Sequence, residues 1–155
     1  MFHHLALAAL LTPLLAKAQV LNMSRDLVAK GIANTNLSPD SPGLDARPLF
    51  EAAVAYVVQN GVRTLTADPG AYYFLSLRNP STHSLLTSVS KLTIDWQNSD
   101  LVFHSSNTSA VQRSNCSNLV MQNFTADYQQ LPFTQVTVTS VSADTQTFNF
   151  AIIPS

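Results

Sequence analysis

The chain contains a single cysteine, Cys116, among its 155 residues. One cysteine excludes an intrachain disulfide and any metal site built from several thiolates. We expect Cys116 to be a small buried residue in a turn, and a reactive thiol is the alternative. Rigidity must therefore come from hydrogen-bond ladders and from side-chain packing.

Charged residues are also scarce, at 11% of the chain, with eight Lys and Arg against nine Asp and Glu. The sequence has no run or patch of basic residues, and phosphate binding needs concentrated Lys and Arg. It therefore predicts no nucleic-acid partner. Ser, Thr, Asn and Gln are abundant instead, which suits stacked β-structure with polar turns better than a helical bundle.

Long apolar segments are absent after the N-terminus. Residues 5–16 are almost continuously apolar but too short to span a bilayer, and residues 16–18 form an Ala-Lys-Ala cleavage pattern. We predict a signal peptide at 1–18, a mature chain that begins at Gln19, and an extracellular protein without a membrane anchor. A buried N-terminal helix is the alternative.

A secretory route gives meaning to the Asn-x-Ser/Thr triplets, which are acceptors for N-linked glycans. Pro39 follows the second of them and should weaken it. The last two are alternatively buried turn residues that escape modification. The five predicted glycosylation sites are Asn22, Asn36, Asn107, Asn115 and Asn123.

A helix is predicted after the Pro-rich segment that ends near residue 43. Asp45 suits the N-cap, and Pro48 suits the first turn because its missing N–H costs nothing there. The apolar residues of 49–58 form one stripe at helical spacing, and Gly61 is a typical helix end. The elements expected next are a strand at 62–66, an Asp-Pro-Gly turn at 68–70, a strand at 72–77 and a loop at 79–82.

Short strand patterns separated by polar, Asn-rich turns follow, with no helix between them. This arrangement is the signal of an all-β fold. In the first of these strands Leu92, Ile94 and Trp96 alternate with polar residues, so we expect them to face inward. The predicted strands are 91–96, 101–104, 110–113 and 119–128.

Two all-β architectures fit these strands, an antiparallel sandwich and a parallel β-helix. The turns lack the Asn-Gly and Asp-Gly pairs that close hairpins. Leu92 and Leu119 begin matching strands 27 residues apart, a plausible coil length. The apolar parity also shifts after Asn123, as a corner in a coil would require. These features favour the parallel β-helix. Beyond it, 136–141 and 147–152 alternate like a hairpin around a five-residue loop.

The unit at 45–74 resembles the N-terminal cap and entry coil of the pectin-lyase-like family of right-handed parallel β-helix proteins. Residues 92–95 and 117–128 resemble its coil repeats, and 131–135 with the hairpin is similar to a β-insert of some secreted β-helix glycoside hydrolases. The resemblance implies an irregular segment at 19–44, a capping helix and first coils at 45–128, and a truncated hairpin insert at 129–155.

Members of that family usually have more coils, and their active sites lie on later coils that have no matching positions here. The resemblance implies the N-terminal part of a secreted polysaccharide-degrading enzyme, a glycoside hydrolase or polysaccharide lyase, without its active site. A non-catalytic extracellular binding or wall-associated protein is the alternative. The implied partner is a polysaccharide or cell-wall glycan, and self-association through an uncapped last coil is expected.

Hydrolysis of a glycosidic bond needs two carboxylates at a defined separation, and lyase chemistry needs a base and a cation. The outward carboxylates available are Asp95, Asp100 and Asp127, of which Asp95 and Asp127 are the candidate catalytic residues. Solvated polar groups are the alternative interpretation. His83 and His104 lack metal-ligand spacing and are expected to be solvated, so we predict no metal and no cofactor.

Overall fold

The computed structural model describes residues 20–130, 136–143 and 148–152. The predicted signal peptide and its cleavage site lie outside these residues, as does the segment 131–135. Among the described residues, no helix is both long and apolar enough to cross a membrane. The elements are β1 Val20–Asn22, α1 Asp26–Ala29, α2 Ala46–Asn60, β2 Thr64–Thr66, β3 Ala71–Phe74, β4 Thr82–Thr87, β5 Ser90–Phe103, β6 Ser109–Ser114, β7 Ser117–Tyr128, β8 Val136–Val141 and β9 Phe148–Ile152.

Every strand pairing from β1 to β7 is parallel. The first half of β5 lies between β2 and β7, the second half of β5 pairs with β3 and β7, and β4 pairs with β6. Strands of one stretch thus pair with strands of the next, and we call these stretches pass one (64–87), pass two (90–114) and pass three (117–128). The fold is all-β with parallel sheets.

The register repeats at a nearly constant interval. Leu65 is opposite Ile94, and Leu92 is opposite Leu119, which are offsets of 29 and 27 residues. The predicted match between Leu92 and Leu119 is therefore confirmed. The same side chains of successive passes consequently face the same way, so a buried position in one pass lies beside the equivalent position in the next.

Bends in the passes coincide with polar residues in the left-handed backbone region. Gln97 and Asn98 have φ of 55° and 61°, and the register of β5 against β7 shifts between Asp95 and Ser99. The predicted turn at this point is thus a bend inside β5 rather than a break between two strands. In pass three Asn123 has φ of 57°, at the position where the sequence showed the shift in apolar parity. Asn tolerates this conformation better than most residues.

The inward side chains of passes one and two form a single apolar core. Leu92, Ile94 and Trp96 are buried, as predicted. The Trp96 ring lies 5.4 Å from the rings of both Phe50 and Tyr72, measured between centroids. Aromatic packing of this kind fills the space between α2 and the strands, and it contributes about 0.5–1.5 kcal/mol per pair beyond simple burial.

Helix α2 packs on β2, β3 and β4 of pass one. Its predicted N-cap is confirmed, since the Asp45 carboxylate accepts a hydrogen bond from the backbone N–H of Arg47 at 3.1 Å. Its predicted end is also confirmed, since Gly61 adopts the left-handed conformation with φ of 67°. One stripe of the helix is buried against the strands: Ala46, Leu49, Phe50, Ala53, Val54 and Val57.

Two sequence-based expectations about local structure were wrong. The segment 19–44, expected to be irregular, contains β1, which pairs with β2, and the short helix α1. The expected loop at 79–82 runs directly into β4, a strand that the sequence did not predict. Its Thr82, His83 and Ser84 are buried although they are polar, so no apolar alternation marked them as a strand. These residues form a strand because they pair with β6, and this pairing cannot be read from their own sequence pattern.

The predicted hairpin is present, with β8 and β9 antiparallel and Val138 opposite Phe150. Most of its connecting loop, 144–147, lies outside the described residues.

Gly70 occupies a position in the predicted Asp-Pro-Gly turn that other residues cannot fill. Its φ is 145°, and a Cβ built there would lie 2.5 Å from the Cβ of Pro39. The Pro39 side chain, in the segment before α2, therefore packs directly against the turn between β2 and β3. The neighbouring Asp40 holds this approach, because its carboxylate accepts a hydrogen bond from the N–H of Ala71 at 2.9 Å.

Candidate functional site

Outward side chains of the three passes line up in polar columns across the parallel sheet. Thr66, Asp95 and Gln122 are register partners in passes one, two and three, and we call them the Asp95 column. Asp100 and Thr125 are partners in a neighbouring column, where the threonine hydroxyl donates a hydrogen bond to the carboxylate. The predicted outward direction of Asp95 is confirmed, since it is half-exposed between two buried neighbours.

The Asp95 carboxylate is surrounded by hydrogen-bond donors. It accepts the N–H of Gln97 at 3.0 Å, the side-chain amide of Asn123 at 2.9 Å and that of Gln122 at 3.0 Å. The backbone N–H of Gln97 contributes most to lowering the pKa of Asp95, followed by the amide of Asn123. A carboxylate held in its ionised form by amides is a poor proton donor, so this geometry suits a link between passes two and three.

The second candidate, Asp127, lies elsewhere on the face. It is exposed, opposite Val102, and its carboxylate accepts the N–H of Tyr128 at 2.7 Å. Asp95 is instead opposite Gln122 on the other side of the bend in β5. The structure therefore places the two carboxylates in different columns and shows no contact between them within the described residues. Their catalytic role stays a prediction.

A polar network that sequence reasoning missed joins α2 to pass one. The Glu51 carboxylate accepts the Ser84 hydroxyl at 3.1 Å and forms an ion pair with Arg47 at 3.2 Å. Arg47 also donates to the Ser76 hydroxyl at 2.6 Å, and that hydroxyl donates to Asp45. The Arg47–Glu51 spacing of four residues was the available signal. The Arg47 and Glu51 side chains are both mostly buried, so these hydrogen bonds hold the helix in position on the strands.

A shallow groove of about 270 Å³ lies beside this network, between α2 and β4. Its walls carry Glu51, Val58 and Leu85, and Arg78 stands at its edge with 56% of its side chain exposed. The Arg78 guanidinium is 3.9 Å from Glu51. The charges at this groove are thus already paired, and the exposed pair contributes little free energy.

The expectation that His83 is solvated was wrong, because His83 is fully buried in β4. Its Nδ1 lies 3.2 Å from the carbonyl oxygen of Ser76, and its Nε2 accepts the N–H of Ser105 at 3.2 Å. The tautomer with hydrogen on Nδ1 satisfies both contacts. His83 thus joins the loop before β4 to the loop after β5, two backbone segments that would otherwise lose a partner. His104 is exposed, as expected, with Nδ1 3.0 Å from the Gln129 amide oxygen.

A third polar group ties the segment around β1 to pass one. Arg25 donates two hydrogen bonds to the Asp68 carboxylate, at 3.0 and 2.6 Å, and Asn22 donates a third at 3.0 Å. The hydrogen bond from Arg25 is the main cause of the lowered pKa of Asp68. Burial raises the pKa of the nearby Tyr72, whose hydroxyl donates to the Asp68 carbonyl oxygen. The group is well suited to holding a chain segment in place.

The inner face of pass three differs from those of passes one and two because it is open. An apolar groove of about 510 Å³ runs along it, with Leu101 and Phe103 of pass two on one side and Leu119, Met121 and Phe124 of pass three on the other. Phe124 is 38% exposed. The groove contains one charged residue in its lining, Arg113. Its lining is otherwise apolar.

The described residues contain no cluster of three or more His, Cys, Asp or Glu side chains that could hold a metal ion. Cys116 lies in the turn before β7, as expected, but it is only partly buried, and its thiol lies 3.3 Å from the carbonyl oxygen of Leu86. That contact suits a packed residue.

No protein-family model matches this chain, and no curated protein matches its sequence at a significant level. The resemblance to pectin-lyase-like proteins therefore depends on the residues and pairings described above.

Proposed function

We propose that this chain forms the first turns of a right-handed parallel β-helix of the pectin-lyase-like type, within a secreted protein that acts on polysaccharide. The observation that carries the proposal is the register, in which Leu65 pairs with Ile94 and Leu92 pairs with Leu119, all in parallel. Repeats of 20–50 residues that pair only with their neighbours are typical of solenoids. A sandwich would instead join successive strands in antiparallel hairpins.

The position of α2 supports the same proposal. A β-helix needs a cover over its first turn, because an uncovered end exposes apolar side chains and invites edge pairing. Helix α2 buries its apolar stripe on β2, β3 and β4, and Phe50 of the helix packs on Phe74 and Trp96 inside the strands. The Asp45 and Glu51 carboxylates then anchor the helix to Ser76 and Ser84.

We propose that the described residues supply the covered end and the base of a polysaccharide-contacting sheet, and that they do not cleave the polymer themselves. Asp95 is held ionised by three amide donors, whereas a general acid needs a raised pKa. Asp127 lies in another column and has no carboxylate partner among the described residues. The reacting groups of the resembled family belong to later coils.

A non-catalytic extracellular binding or wall-associated protein is the second candidate. The observation that favours it is the polar cluster at the Asp95 column, where the Asp95 carboxylate accepts the side-chain amides of Gln122 and of the neighbouring Asn123. Side chains that satisfy each other in this way stabilise stacked strands, and they leave an outer face of hydroxyls and amides on which a sugar chain could lie.

Cleavage and binding assays on the full chain test both candidates together, since each predicts binding without cleavage by these residues. Reducing-end release and unsaturated-product absorbance are measured on pectins, galactans and mixed glucans, with heat-denatured protein as the control, and retention is measured on the same polymers immobilised. We expect retention without turnover. Turnover that disappears in Asp95→Asn or Asp127→Asn would show an active site within these residues and would contradict the proposal. Absence of both turnover and retention would contradict both candidates.

A further inference from the structure

The five predicted glycosylation sites differ in what their amide groups do in the folded chain. The Asn22 amide donates to the Asp68 carboxylate at 3.0 Å, and its oxygen accepts the N–H of Ser24 at 2.8 Å. The Asn36 oxygen accepts the N–H of Val28 at 2.9 Å. The Asn123 amide belongs to the donors around Asp95. Three of the five sites are thus engaged in contacts that hold the fold.

Asn107 and Asn115 are different. Both are exposed, and neither makes a side-chain hydrogen bond to any other described residue. Asn107 lies in the loop before β6, where Thr108 accepts the Tyr128 hydroxyl through its carbonyl oxygen at 3.0 Å. Asn115 lies in the turn after β6, with φ of 53°. The two free sites therefore stand at the two ends of one strand.

That strand is an edge. In the described part of the fold β6 pairs only with β4, so its other side carries unpaired backbone N–H and C=O groups. An open edge of this kind is a template for pairing with another chain, and natural proteins protect it with bulky or charged groups. Arg113 is an exposed charged residue on β6.

We propose that Asn107 and Asn115 carry N-linked glycans in the folded protein and that Asn22, Asn36 and Asn123 do not. The inference rests on the proposed secretion. In the transfer step the side-chain nitrogen forms a bond to the anomeric carbon of an oligosaccharide, the nitrogen loses a proton, and the lipid pyrophosphate donor leaves. A glycan on Asn22, Asn36 or Asn123 would place a bulky group on an amide that makes a hydrogen bond in the folded chain. Chains modified there would fold poorly and would be missing from the secreted protein.

The two proposed glycans lie away from the outer face of the sheet that contains Asp95. Both proposed glycans flank β6, whereas the Asp95 column lies on the sheet formed by β2, β5 and β7. Glycans are bulky and solubilising. The face proposed to contact polysaccharide would therefore stay bare, because Asn123, the one triplet beside it, is occupied by its bond to Asp95.

Site-resolved mass spectrometry tests the assignment. The full chain is expressed in a eukaryotic host in two forms, one with its own N-terminus and one preceded by an established secretory leader. Monomeric protein is treated with peptide N-glycosidase in heavy-oxygen water, so each occupied Asn becomes a labelled Asp. We expect labels at positions 107 and 115 alone. A label at 22, 36 or 123, or the absence of a label at 107 or at 115, overturns the assignment.

The two forms keep this result separate from the proposed function. If only the form with the added leader leaves the cell, and it is labelled at 107 and 115, the site assignment holds and the proposed secretion fails. Matched variants complete the test. Ser109→Ala and Ser117→Ala remove each triplet but retain its Asn, and each should cost one glycan in mass. Ser24→Ala, the matched control, should cost none.

Discussion

Leu92 and Leu119 are the same residue at paired positions of neighbouring strands, yet they differ in burial. Leu92 is 2% exposed inside the core, while Leu119 is only partly covered and borders the open groove. The same contrast separates Ile94 from its partner Met121. Passes one and two are covered by α2 and by each other, whereas pass three is covered on one side. Identical backbone pairing therefore coexists with very different burial.

The difference shows which interaction sets the register and which supplies stability. The ladder between β5 and β7 is the most extensive in the described structure, so backbone hydrogen bonds fix the register of pass three along most of its length, although on one side only. Each such bond contributes only about 0.5–1.5 kcal/mol net, whereas burying a Leu side chain contributes about 1.5–3 kcal/mol. We expect a gradient of stability from pass one to pass three.

The largest expected effect compares the paired leucines directly. Leu92→Ala should lower the free energy of unfolding by about 2–5 kcal/mol, because it leaves a cavity in a packed core. Leu119→Ala removes the same atoms at the paired position and should cost less, about 1–2 kcal/mol, because the side chain is only partly buried beside an open groove and leaves no closed cavity. Urea denaturation followed by circular dichroism measures both. Equal losses would show that pass three is as well packed as pass two.

A second prediction concerns the contact between the N-terminal segment and the β2–β3 turn. Gly70→Ala should lower the free energy of unfolding by about 2–3 kcal/mol, because a Cβ at φ of 145° is strained and meets Pro39 at 2.5 Å. Gly43→Ala is the matched control, since its Cβ would meet nothing within 4 Å. The same urea titration applies. A loss at Gly43 equal to that at Gly70 would disprove the close approach.

A third prediction uses the two histidines, one from each environment. His83→Phe should destabilise the fold by about 1–3 kcal/mol, because the N–H of Ser105 and the carbonyl of Ser76 lose a buried partner. His104→Phe, on the exposed side, should change stability by less than about 0.5 kcal/mol. Thermal unfolding of both variants gives the comparison. Wild-type stability in His83→Phe would mean that the two loops are held by other contacts.

The smallest effect tests the link between passes two and three. Because the folded-state pKa of Asp95 is lowered, its contribution is complete above the ordinary carboxyl range and is lost as pH falls through the folded pKa. The stability difference between wild type and Asp95→Asn should therefore shrink as pH is lowered from 7 to 2. In a Gln122→Ala, Asn123→Ala background the pH dependence should be weaker. An unchanged dependence there would assign the lowered pKa to Gln97 alone.

The parts of the fold that were predictable are those encoded in local pattern. Helix α2 has a capping Asp, an apolar stripe and a terminal Gly, and β5 has alternating apolar residues, so each was identified before any pairing was known. The 27-residue spacing of Leu92 and Leu119 indicated which strands pair. These signals lie within one element or recur at a fixed interval.

The parts that escaped prediction depend on contacts between distant residues. Strand β4 was missed because Thr82, His83 and Ser84 have no apolar alternation. Their polar groups are instead satisfied by partners in β6, in the loop before β4 and in α2. Two of the three donors to Asp95, the amides of Gln122 and Asn123, lie 27 and 28 residues away, so only the register shows that they meet this carboxylate. A carboxylate alone in a sequence cannot indicate whether its role is structural or catalytic.

The central claim is that pass two and pass three pair in a parallel register. Disulfide cross-linking at a paired position tests this claim most directly. Thr93 and Val120 are register partners with outward side chains, and adjacent strands lie about 4.7–4.9 Å apart, within disulfide range. In a Cys116→Ser background, Thr93→Cys with Val120→Cys should form an intrachain disulfide on mild oxidation. Thr93→Cys with Asp127→Cys should not. Efficient cross-linking of the second pair and none of the first would contradict the account.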